Sequence, residues 1–158
     1  MSVQKSLGQI ESYLDNLEKA KRLSVAVGLP KETASSKVYG DGQSVIKVGA
    51  RHEYGSGSLP RRSFLRTPFI VKEKDIENIL LAMFKRVAEN GLDAEKALSI
   101  VGVKAVNISQ GAFTSKGYGS WQALDPQTIK AKGSSQILID TGTLRGSITY
   151  IVRDANDS

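Results

Sequence analysis

Apolar residues near the start of the chain recur every three or four positions, at Leu7, Ile10, Leu14, Leu17 and Ala20, with charges between them. That spacing predicts an amphipathic helix over residues 2–21. The period then drops to two: Leu23, Val25 and Val27 alternate with Ser24 and Ala26 before Gly28 and Pro30 stop the run, which reads as a short strand. Residues 31–43 are rich in Ser, Gly, Lys and Asp and read as a loop turning at Gly40-Asp41-Gly42. Ser44 reads as the cap of a short helix through Val45, Val48 and His52, ending at Gly55. Thr67-Pro68 reads as the start of one long helix, striped by Ile76, Ile79, Leu80, Met83, Phe84 and Val87 and stopped at Gly91. Asp93 caps a further helix that carries Leu98, Val101 and Ile108 toward Gly111.

The last third is less regular. Residues 111–120 read as a three-glycine loop, Asp125-Pro126 opens a short helix to about Lys132, and 137–139 is an apolar run. Residues 141–146 form a turn or a single helical turn, and 147–153 a final strand. Four or five helices and about three strands, in no βαβ order, give an α+β fold with a small, mostly antiparallel sheet packed by a long helix and several shorter ones. A length of 158 residues suits a single domain, 1–158. The few strands must pair with each other or with a neighbouring chain.

Composition narrows the chemistry. The chain has no cysteine and one histidine, His52, so thiolate sites, disulfides and histidine-rich metal clusters are excluded. The first residues lack the apolar core of a signal peptide, and no apolar run approaches the roughly 20 residues of a membrane span, so a cytosolic site of synthesis and no membrane partner are expected. A net charge of +6 favours acidic partners, DNA among them.

Three candidate sites need weighing. Ile139-Asp140-Thr141-Gly142 matches the aspartic-protease triplet, and a homodimer could supply two such acids. That enzyme, however, needs a β-rich fold after its aspartate, and only 16 residues follow Gly142. Capping of the local turn by Asp140 or Thr141 suits the context better. His52 and Glu53 are adjacent on a helix, about 100° apart, and do not converge on one atom. Arg61, Arg62, Arg66 and Lys72 lie in an acid-free stretch between Glu53 and Glu73, interleaved with Phe64, Leu65 and Phe69. Arginine forks bind phosphate or carboxylate, while the apolar residues fasten the loop to a core or a partner. An interaction loop fits better than a DNA groove. No catalytic, cofactor or metal residues are assigned, and no enzyme activity is expected.

Three blocks in order extend the picture: Val45 to Gly55 with its terminal Tyr54-Gly55; Leu59-Pro60-Arg61-Arg62-Ser63-Phe64-Leu65-Arg66; and Leu124 to Lys130 followed by Leu138, Asp140-Thr141-Gly142, Leu144 and Ser147-Ile148. Together they resemble the virion morphogenesis family of bacteriophage head–tail joining and tail-completion proteins. Ser63 departs from the family's frequent Arg-Pro, which predicts a looser loop still anchored by Phe64 and Leu65. The resemblance implies a structural neck or tail-completion subunit, a ring homo-oligomer with a hexamer as the expected order. Its expected partners are the head connector or adaptor and the tail tube or tail terminator, and its location the virion after assembly in the host cytoplasm. DNA could pass a basic inner surface without being read. Expected contact residues are Arg61, Arg62, Phe64, Leu65, Arg66, Tyr118 and Trp121, with loops 31–43, 55–66 and 111–120 as assembly contacts, of which 31–43 and 111–120 order on assembly. A non-specific DNA-binding protein is the alternative, and a dimeric protease using Asp140 a lesser one.

Overall fold

The computed structural model describes residues 3–133 and 142–156. The first helix, α1 (Val3–Arg22), runs without a linker into β1 (Leu23–Gly28). Far along the chain, β2 (Thr149–Asp154) returns antiparallel to it, pairing Leu23 with Asp154, Val25 with Val152 and Val27 with Tyr150. These are the two strands among the described residues, so the sheet joins the two ends of the chain. Between them come α2 (Lys31–Ala34), α3 (Val45–Tyr54), α4 (Arg66–Val71), α5 (Glu73–Asn90), α6 (Ala94–Thr114), α7 (Pro126–Lys132) and α8 (Thr143–Ser147). The fold is α+β.

Helix α6 is the spine. Its 21 residues span about 32 Å at 1.5 Å per residue, and ten of them are buried. One half faces a cluster of Ala20, Met83, Val87, Ala94, Ala97 and Val101, built with α1 and α5. The other half faces Val45, Phe64, Trp121, Leu144 and Ile148, with its own Ala112 and Phe113 in the same cluster. Both strands lie along the same helix. Gly102 permits the closest approach: a Cβ there would fall 2.4 Å from the Tyr150 ring. The missing side chain at Gly102 lets the Tyr150 ring of β2 lie against the helix, where a larger residue would hold it off.

Helix termini follow the expected chemistry in part. Asp93 caps α6 by accepting from Lys96 N at 3.0 Å, and Asp125 caps α7 by accepting from Gln127 N at 2.8 Å. Gly91 closes α5 in the left-handed conformation, φ 64°. Asn16 of α1 then clamps the α5–α6 turn, donating to Leu92 O and accepting from Ala94 N, both at 2.9 Å. Ser44 occupies the N-cap position of α3 but makes no side-chain capping bond.

Three expectations change. The single helix from Pro68 to Gly91 is two, α4 and α5, bent at Lys72 (φ −108°, ψ 21°). Lys72 N still bonds Pro68 O and Ile76 N bonds Lys72 O, so the apolar spacing carries across the bend and periodicity misses it. Residues 31–43 are not a simple loop: they begin with α2, then close a tight hairpin with a Val38–Ser44 bridge. Residues 111–114 belong to α6. Gly111 does not stop the helix; it leaves room for Tyr118, whose hydroxyl would lie 2.6 Å from a Cβ there. The single helical turn expected near 141–146 is α8, with Gly142 (φ 73°) at its N-cap. Asp140, Thr141 and the apolar run at 137–139 lie outside the described residues.

Candidate interaction site

The centre of the site is Glu53, an acid in the last turn of α3. Negative charge there opposes the helix dipole, so its value must come from elsewhere. Its carboxylate turns inward, 4% exposed, and gathers five donors from the segment that begins α4. Ser63 Oγ donates to Oε1 at 2.7 Å, Phe64 N and Leu65 N donate to Oε2 at 2.8 and 3.0 Å, and Arg66 N and Nε donate to Oε1 at 3.1 and 3.4 Å. The first N–H groups of a helix lack partners within it, and a carboxylate has lone pairs enough for several. Glu53 is therefore the cap of α4, supplied by another helix. Thr67, expected as that cap, instead donates its N–H to Ser63 Oγ at 2.9 Å.

Other bonds fix the same segment from the far side. Trp121 Nε1 donates to Ser63 O at 3.1 Å, and Ser109 Oγ, from α6, donates to Phe64 O at 2.7 Å. The rings of Phe64 and Phe113 stand 5.6 Å apart, and Phe113 meets Trp121 edge-on at the same distance. Ser63 is 3% exposed and its hydroxyl is used twice, so the loop is pinned where the missing proline suggests slack. Gly117 (φ 67°) lies where a Cβ would be 2.2 Å from the Trp121 ring. A side chain at 117 would displace the indole.

The expected contact residues thus divide. Phe64 and Trp121 are core residues of the chain itself, 0% and 7% exposed, and anchor the loop inward rather than to a partner. Arg62 is buried as well, its N–H bonded to His52 O at 2.7 Å. Leu65 is half-buried beside the main core. Tyr118 is half-buried, its hydroxyl donating to Ile108 O at 2.8 Å, with the Lys72 ammonium 5.7 Å from its ring. Burial holds its phenol above the ordinary value, while Lys72 opposes the shift. Arg61 is exposed, and Arg66 is half-exposed with its guanidinium 4.7 Å over the Tyr54 ring. Loop 55–66 is a braced edge, with Arg61, Arg66 and Tyr54 turned outward.

Two more features bear on partners. A groove of about 530 Å³ opens between β1 and α5, with Val25, Val27, Ile76, Leu80 and Phe84 along it and Glu73 and Glu77 among its lining. On α1, Leu7, Ile10 and Leu14 are more than half exposed, at 53%, 55% and 54%. Among the described residues there is no group of three His, Cys, Asp or Glu that could hold a metal, and no helix is long and apolar enough to cross a membrane.

The α+β architecture and a carboxylate-braced surface loop define the class of molecule that can be stated from geometry. Comparison with protein-family models, with curated proteins and with solved structures finds no match for the chain.

Proposed function

We propose that the chain is a structural subunit of a tailed-bacteriophage virion, forming a ring, with a hexamer as its expected order, at the junction of head and tail. The head connector or adaptor would lie on one side and the tail tube or tail terminator on the other. One observation carries the reading: the described parts of the three sequence blocks that resemble neck and tail-completion proteins meet in one packed unit. Glu53 in the first block holds the backbone of the second, and Leu144 and Ile148 of the third pack with Phe64 and Val45 in one core. Residues spread over a hundred positions are thereby explained by one local architecture. The half-exposed stripe on α1 and the apolar groove beside β1 also suit a subunit that buries further surface against copies of itself.

Light scattering tests the proposal on the protein alone and with purified connectors and tail tubes. The expected result is a mass several times 17.0 kDa, or a stable complex with one of the two structures. A strict monomer that binds neither would overturn it. A second reading, non-specific DNA binding, is favoured by exposed Arg51 and Arg61 close to the same edge. It requires affinity for duplex DNA that falls steeply as salt rises.

A further inference from the structure

Arg62 is the chain's physical anomaly. It is 6% exposed, and its Nε is sealed from solvent with no hydrogen-bond acceptor. Among the described residues no carboxylate pairs with it, and burial, with nothing offsetting it, holds its guanidinium below the ordinary value. The nearest acid in sequence, Glu53, is saturated by Ser63, Phe64, Leu65 and Arg66. A guanidinium does not shed its proton near neutral pH, so a buried one is stabilised by meeting an anion. Nε alone is both sealed and unpartnered; the two Nη are not, so they are where an incoming group meets the fork.

The surroundings point to the same chemistry. Arg62 N is bonded to His52 O, and His52 also lines a pocket of about 230 Å³ with Gln43, Val48, Arg51 and Leu59. Exposed Arg61 adjoins Arg62 in sequence, and exposed Arg51 is the cation that lines the pocket beside His52. Clustered cations with low-dielectric walls raise the local potential for anions.

We propose that Arg62 is the receptor for a single carboxylate, an Asp or Glu side chain presented by another protein chain and taken end-on by its two Nη. A carboxylate matches the planar fork bidentately. Recession selects among sources: a slender side chain reaches a group 6% exposed, whereas a duplex backbone meets the protruding Arg51 and Arg61 first. The inference rests on Arg62 and its surroundings and stands apart from the ring proposal.

The test follows arginine Nε–Hε signals by NMR in the full chain while sodium acetate, sodium phosphate or a 20-base-pair duplex is added at constant ionic strength against sodium chloride. The Arg62 signal is assigned by its loss in Arg62→Lys. Acetate and phosphate should each shift it saturably, and the duplex should move Arg51 and Arg61 while leaving Arg62 in place. In parallel, acetate at tenfold excess over its Kd should raise the wild-type Tm by about 3–6 °C and leave Arg62→Met unmoved. An Arg62 signal indifferent to acetate overturns the proposal, and so does a duplex that shifts Arg62 more strongly than acetate. If Arg62→Met fails to fold, the wild-type titration alone still decides.

Discussion

At the residue scale, Glu53, weighed from the sequence only as a neighbour of His52, holds five donors of the segment that opens α4. Replacing it by Gln keeps the shape but substitutes an NH₂ for one acceptor oxygen, so backbone N–H groups of the α4 entry face a donor. Buried donors left without acceptors cost about 1–3 kcal/mol each, and charged acceptors sit at the upper end. Glu53→Gln should therefore destabilise the chain by about 3 kcal/mol, read as a lower urea midpoint with an unchanged slope. A loss under about 0.5 kcal/mol, the level of an ordinary surface change, would show that the five donors are not held as described. The sequence offered a hint in the acid at the wrong end of a helix, but it could not say which loop the carboxylate reaches. Phe64 was legible as an apolar anchor, and Trp121 was expected as a contact residue. Whether they anchor inward or outward is a question of what surrounds them, and the answer came from Ser109, Phe113 and Ser63.

At the element scale, the aspartate caps of α6 and α7 form as the sequence reads them, and Asp93 allows a pH test. Its carboxylate is held below the ordinary range chiefly by the Lys96 backbone N–H, with partial burial opposing and Lys19 adding a smaller contribution. A depressed folded value contributes stability that is fully present above the unfolded value of about 4 and is lost as pH falls through the folded one. Asp93→Ala should then lower stability by about 1 kcal/mol at neutral pH. The gap to wild type should narrow as pH falls below the ordinary carboxylate range, followed by thermal melts across pH 2–7. A gap that stays constant over that range would remove the charge from the cap. By contrast, the bend at Lys72 left no mark on hydrophobic spacing, because Lys72 is bonded to the turn on either side and the apolar stripe continues past it. The extension of α6 to Thr114 was hidden for the opposite reason: Gly111 reads as a stop, yet serves a close approach by Tyr118.

At the scale of the whole molecule, the question is which surfaces remain for other chains. The half-exposed stripe of Leu7, Ile10 and Leu14 contributes little to the isolated fold. The double variant Ile10→Lys with Leu14→Lys should leave the monomer's stability within about 0.5 kcal/mol per site. The ring proposal adds that the same variant should lower the mass seen by light scattering. An unchanged assembled mass would take α1 out of the interface.

The sequence by itself determined the α+β class, the positions of α1, β1, α3, α7 and β2, and the caps at Asp93 and Asp125. These depend on period and local hydrogen bonding, which act over a few residues. Only the tertiary structure decided that the first and last strands pair, that α6 joins two cores, and that Glu53 closes the entry to α4. Each joins residues from ten to more than a hundred positions apart. Such pairings depend on the shape and polarity of whatever the folded chain places opposite a residue, and spacing along a sequence carries no record of that.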